Sequence, residues 1–158
     1  MDIQLMLLVF GAAGSGLIGG LFFAFSNFIM RAFDRLPPGQ AISAMQSINV
    51  TVLNPLFFAC FFGTALISAA LLAIACYRGD ALGLVMGAGA LLYLFGSIAV
   101  TMLFNVPLNN QLASAPMATP TMVLTWKHYQ SSWILWNHVR TTASLLAALA
   151  FIRAIAMR

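Results

Sequence analysis

The sequence predicts an all-α integral membrane protein, a four-helix bundle with two longer loops on one membrane face. Two observations carry this. Of 158 residues, 62% are apolar and only 6% are charged, whereas soluble domains run about 45–50% apolar and roughly 25% charged. The apolar residues also gather into four stretches, each meeting the about 20 residues that a helix needs to cross a hydrocarbon core.

The first stretch covers residues 3–30. It is too long for a secretory h-region and lacks a basic n-region, so it reads as a span rather than a cleaved signal peptide. The second covers residues 55–77, the third 82–104 and the fourth 133–155. Each must be helical, because an open strand leaves backbone groups unsatisfied in lipid. Pro107 disfavours helical geometry at Val106, so the third span is expected to end near Asn105. The whole chain, 1–158, then forms one four-span domain.

The connections are a polar loop at 31–54, a tight turn at 78–80 and a long segment at 105–132. An even number of spans puts both termini on one side and the two long connections on the other. Arg78, Arg153 and Arg158 lie with the termini, against Arg31, Arg35, Lys127 and Arg140 on the long-loop face. Arg31 and Arg140 sit at span ends among polar motifs. Setting them aside, the distribution of positive charge favours cytoplasmic termini. Small residues at i+4 steps, Gly11-Ser15-Gly19 and Ala12-Gly16-Gly20, with Gly83 and Gly87, are expected to let helices approach closely, within the bundle or in a homo-oligomer.

Composition also excludes chemistry. The only acids are Asp2, Asp34 and Asp80, all at or beyond the ends of apolar segments, and there is no glutamate. A carboxylate-bridged di-iron site or a glycosidase acid/base pair cannot be built from them. The pI of 9.7 arises without a basic cluster and points to membrane-flanking charges rather than a nucleic-acid partner. Cys60 and Cys76 share one predicted helix, about 24 Å apart, too far to bond.

Polarity is concentrated in residues 126–140, WKHYQSSWILWNHVR. On a helix Trp126, Tyr129, Trp133, Trp136 and Arg140 form one stripe. Asn137 lies beside it, Ser144 continues it, and His138 points roughly 100° away from Asn137. An interfacial aromatic belt explains Trp126 and Tyr129 and part of Trp133. It does not explain Asn137, His138 and Arg140, because polar groups within a span usually face a bundle interior or a wet cavity. Asn105, Asn109 and Asn110 end the third span, Ser26 and Asn27 end the first, and the first loop offers Gln46, Asn49 and Asn54. By the predicted topology all reach one face. Together they suggest a pocket for a flat aromatic or quinone-like molecule from the bilayer: indoles to stack on it, amides to bind its oxygens, and Arg140 to stabilise an oxyanion.

The motifs Asn105-Val106-Pro107-Leu108-Asn109 and Trp136-Asn137-His138-Val139-Arg140-Thr141 closely resemble the signature of the anthrone oxygenase-like membrane family. Phe22-Phe23-Ala24-Phe25-Ser26, Ala44-Met45-Gln46, Asn49 and Asn54-Pro55 look like its N-terminal half. The resemblance implies a four-helix membrane protein, and a bacterial inner membrane is the expected location of this chain. It also implies oxidation of an anthrone or related phenol with O₂ as co-substrate and no further cofactor. The matching positions are Asn105, Asn109, Asn137, His138 and Arg140. On this reading His138 is the base, and Arg140 with Asn105 or Asn137 stabilises the enolate oxygen. Trp133 and Trp136 hold the ring system, with Asn109, Tyr129, Trp126 and Asn27 completing the substrate site.

Two other classes stay open on the sequence. One is a haem or copper redox protein using His128 and His138. A continuous helix would hold these about 15 Å apart, so a shared haem requires a break between them or another protomer. A copper or zinc site would also expect a third ligand. The other class is a structural or transport subunit without chemistry.

Overall fold

A computed structural model describes residues 2–115 and 121–158. Among these residues every regular element is helical. In chain order we label α1, Ile3–Phe33; α2, Pro38–Thr51; α3, Pro55–Arg78; α4, Ala81–Ala113; and α5, Met122–Ala156. All but α2 are long and apolar enough to cross a membrane, which makes the chain an integral membrane protein. Phe10, Leu17, Leu66, Leu84, Phe95 and Leu149 stand exposed on its outer surface, as side chains facing lipid should.

The helix boundaries follow from local chemistry. Asp2 caps α1, accepting from the Leu5 N–H at 2.9 Å. Asn54 caps α3 through the Phe57 N–H at 3.0 Å, with Pro55 in the first turn where no amide hydrogen is needed. The α3–α4 turn is as tight as expected. Gly79 takes a left-handed φ of 66°, Asp80 accepts from the Gly83 N–H at 2.8 Å, and Arg78 pairs with Asp80 at 2.7 Å.

Both termini meet, because Arg158 donates to Asp2. The Arg158 guanidinium holds the Asp2 carboxyl below the usual carboxylate range. This clamp is therefore intact at neutral pH and is lost only as pH falls through that lowered value.

Three connections differ from the sequence expectation. Residues 31–54 are not a loop: α1 runs to Phe33 and α2 follows. Ala41, Ile42 and Met45 give α2 a short apolar stripe that is fully buried against Met30, Leu112 and Trp133. Secondly, α4 does not end near Asn105. It passes through π-helical turns at Leu92–Ala99 and Thr101–Asn105 and continues as α-helix over Val106–Ala113. Val106 stays helical at φ −63°, ψ −47°. Pro107 sits in the first turn of that last segment, after the wider π ladder, so its ring and missing N–H are accommodated. Thirdly, α5 begins at Met122, so the whole 126–140 motif is helical. The rest of the third connection, 116–120, lies outside the described residues.

The most extensive packing joins α1 to α5. Gly11, Ser15 and Gly19 are all buried, and a Cβ at Gly19 would come within 2.9 Å of Leu145. This stripe therefore serves contacts inside the chain. On α4, Gly96 allows a still closer approach: a Cβ there would lie 2.3 Å from the Ala143 Cβ on α5. Gly96→Ala is expected to destabilise the fold by about 1–3 kcal/mol through overpacking. Its unfolding midpoint in lipid nanodiscs should fall; a midpoint at or above wild type would contradict this packing.

Candidate functional site

The buried face of α5 carries Trp126, Tyr129, Trp133, Asn137, Arg140 and Ser144. This is the predicted stripe with one exchange. Asn137 takes the place of Trp136 at the turn between Trp133 and Arg140: helix spacing sets the two equally far from that line, and it is Asn137 that meets Phe22 and Ser26 of α1. Trp136 is only half-buried and stacks on Phe104 at 3.6 Å and 9°.

Arg140 is 4% exposed. Its Nη2 donates to Asn137 Oδ1 at 2.6 Å and its Nη1 to Thr101 Oγ1 at 3.2 Å. Nε has no partner. The guanidinium lies 4.1 Å from the Phe22 ring centroid and 5.1 Å from that of Trp133. Asn137 is locked in one orientation. Its Nδ2 donates to the Phe22 carbonyl at 2.8 Å and to Ser26 Oγ at 2.7 Å, so its oxygen must face Arg140. Thr101 is locked too, donating to the Ser97 carbonyl at 2.7 Å. Every partner of the guanidinium is therefore neutral.

No carboxylate is left to balance it. Asp2 pairs with Arg158 and Asp80 with Arg78. Asp34 accepts from Gln130 Nε2 at 2.6 Å, and the chain has no other acid. A buried charge without a counter-charge is strongly unfavourable, by several kcal/mol even after relaxation. Cation–π contacts and neutral acceptors offset part of that.

Arg140 lines a partly open cavity of about 510 Å³. Phe22 and Phe25 of α1, Phe57 of α3 and Val106 of α4 make it largely apolar. Asn109 and Asn110 of α4 contribute amides, and Trp133 contributes an indole edge. A further wall is α2, through Met45, Gln46, Ile48 and Asn49. Gln46 ties that wall to α4 by donating to the Leu112 carbonyl at 2.8 Å.

The cavity gathers some predicted residues and not others. Arg140, Trp133 and Asn109 line it. Asn137 and Asn105 are buried behind it; Asn105 Nδ2 donates to the Trp133 carbonyl at 3.2 Å while its Oδ1 has no partner among the described residues. Tyr129 supports Asn109, and Trp126 packs edge-on to Phe33 in the core beneath α2. Asn27 is exposed on the surface, and its neighbour Ser26 enters the network instead. The π turn at Phe25–Ile29 moves the register there.

His138 is exposed and outside the cavity. His128 is exposed too, and lines a separate recess of about 300 Å³ with Leu124 and Thr125. Helix α5 runs unbroken between the two histidines, so within one chain they stand about 15 Å apart, too far to share one metal. Among the described residues no group of three His, Cys, Asp or Glu side chains gathers.

Thr101 and Phe57 were not singled out by the sequence. A threonine in an apolar span, one turn before Asn105, was the available signal for the first. Phe57 carried none.

The family model for anthrone oxygenases matches residues 57–150, more than half of the chain. The chain belongs to the anthrone oxygenase family. No curated protein and no solved structure matches it. The part common to this anthrone oxygenase family covers Phe57, Thr101, Asn109, Trp133, Asn137 and Arg140. Phe22 and the α2 wall lie outside the matched residues, so the cavity is built partly from residues within the match and partly from residues outside it.

Proposed function

We propose that this chain is a membrane oxygenase whose cavity takes a flat phenolic, anthrone-like or quinone-like aromatic as its oxyanion, with O₂ as co-substrate. The observation that carries the reading is Arg140: a buried guanidinium without a carboxylate, in the wall of an apolar cavity. Such a site favours a hydrophobic anion over a neutral ligand. An anthrone CH₂ loses a proton to give an enolate, whose oxygen Arg140 would stabilise. The enolate carbon then forms a bond to O₂, and loss of water leaves a second carbonyl. One anthrone and one O₂ thus give one anthraquinone and one H₂O.

The side chains would lower the acidity barrier and exclude water, and solvent at the cavity mouth would carry the proton away. This reading gives His138 no proton transfer, because it stands outside the cavity. It also keeps the protein in a bacterial inner membrane with cytoplasmic termini, the side that carries Arg78, Arg153 and Arg158.

The test is O₂ uptake by the purified chain in nanodiscs with 1,8-dihydroxyanthrone. Consumption of one O₂ per quinone, above the rate in empty nanodiscs, is the expected result; no acceleration sinks the reading. In the same assay His138→Ala is expected to stay within about threefold of wild type, since loss of a general base would lower the rate by about 10²-fold or more.

A further inference from the structure

We infer that Asn109 is a specificity-determining residue: a hydrogen-bond donor of fixed direction that selects ligands bearing a second, acceptor oxygen apart from the anionic one. The inference rests on the proposed binding of an aromatic anion in this cavity.

The direction is fixed by chemistry. Trp133 Nε1 lies 2.8 Å from Asn109 Oδ1, and an indole N–H only donates. The atom facing it must therefore be the amide oxygen, because the flipped amide would set N–H against N–H. The Tyr129 hydroxyl donates to the same oxygen at 2.9 Å. With both acceptor positions of Oδ1 taken, Asn109 has only its NH₂ to offer a ligand. Asn109 is half-buried and lines the cavity, and no side chain or carbonyl among the described residues accepts from its Nδ2.

Two donors thus flank one indole. The Arg140 guanidinium stands 5.1 Å from the Trp133 ring centroid, and Asn109 sits at its Nε1 edge. The same cavity offers apolar surface from Phe22, Phe25 and Val106. The ligand class that matches is an aromatic with a phenolate or enolate oxygen at one position and a carbonyl-type oxygen at a separate one. A ring with an apolar group at the second position leaves the Asn109 NH₂ without an acceptor once water is displaced.

Two stable probes separate the points: 6-acetyl-2-naphthol and 6-ethyl-2-naphthol. They match in size and share the ionisable oxygen, but only the first carries an acceptor at the far end. Because the conjugated acetyl group also makes its phenol more acidic, affinities are compared per naphtholate, at a pH where both probes are ionised; equilibrium binding to the full chain in nanodiscs is then expected to favour the acetyl probe by about tenfold. Asn109→Asp keeps an acceptor for Trp133 and Tyr129 but turns a second oxygen to the cavity. The added charge weakens both probes alike, and the preference itself should vanish or invert. Arg140→Gln should weaken both probes by about tenfold or more and leave the preference in place.

A wild-type protein without the preference, or a preference that survives Asn109→Asp, overturns the role of Asn109. The wild-type comparison is decisive by itself should Asn109→Asp fail to fold. Unchanged affinities in Arg140→Gln would instead overturn the anion-binding reading. A wild-type protein that binds neither naphthol overturns both.

Discussion

Arg140→Gln is expected to lower anthrone turnover by about 10²–10³-fold while leaving the protein folded and no less stable. The rate loss follows from removing the one charge placed to stabilise a developing oxyanion in a water-poor site. The stability change has the opposite sign from an ordinary core substitution. Arg140 is 4% exposed and has no carboxylate partner, so its removal relieves a desolvated charge. The glutamine amide can still donate to Asn137, which keeps Asn137 Oδ1 satisfied. Arg140→Lys should fall between, because an ammonium keeps the charge but loses the planar contact with Phe22 and the fork that reaches Asn137 and Thr101. Initial rates of O₂ uptake and an unfolding midpoint, measured on the same nanodisc sample, check the pair of effects. A variant that unfolds early yet keeps its turnover would show the guanidinium to be a structural element.

Asn137→Asp tests the same site from the other side, by supplying the carboxylate it lacks. Asn137 Oδ1 already stands 2.6 Å from Arg140 Nη2, so an aspartate there forms an ion pair without rearrangement. A neutralised guanidinium has little left for a substrate oxyanion, and naphtholate affinity and turnover are each expected to fall by about tenfold or more. Stability is pulled two ways. The new pair is attractive, but the second carboxylate oxygen would replace the Nδ2 that now donates to the Phe22 carbonyl at 2.8 Å. Asn137→Ala separates the contributions. It leaves Arg140 with fewer neutral partners, so anion affinity should hold or rise. The lost bonds to Phe22 and Ser26 should destabilise the fold by about 2–4 kcal/mol. Equal loss of affinity in the aspartate and alanine variants would mean that Asn137 acts only as a packing residue.

The continuity of α5 explains why so much of this site is legible in the linear chain. Trp133, Asn137 and Arg140 fall on one line of an unbroken α-helix, and the same spacing turns His138 away by roughly 100°. The family-like motif places His138 beside Asn137 in sequence, yet adjacency along a helix means separation around it. On α4 the spacing is no such guide. Two π-helical stretches, Leu92–Ala99 and Thr101–Asn105, insert extra residues per turn. Any 3.6-residue pattern carried through them loses its phase, so whether Asn105 or Asn109 meets the cavity could not be read from periodicity. Helix α2 was hidden for another reason: its apolar stripe is only three residues, Ala41, Ile42 and Met45, too short to stand out from a polar loop.

By itself the sequence determined the solvent and the missing charge. Four apolar stretches require four helices in lipid, because no other open structure satisfies its backbone there. Three aspartates, all at helix ends, leave nothing inside the membrane to neutralise an arginine. Only the tertiary structure decided which polar groups share a cavity. It brought α2 over the span ends, turned Asn109 to face Trp133 at 2.8 Å, and left His138 outside. Those outcomes depend on how helices with shifted registers pack against one another. That is a property of side-chain volumes in contact, and no single helix carries it.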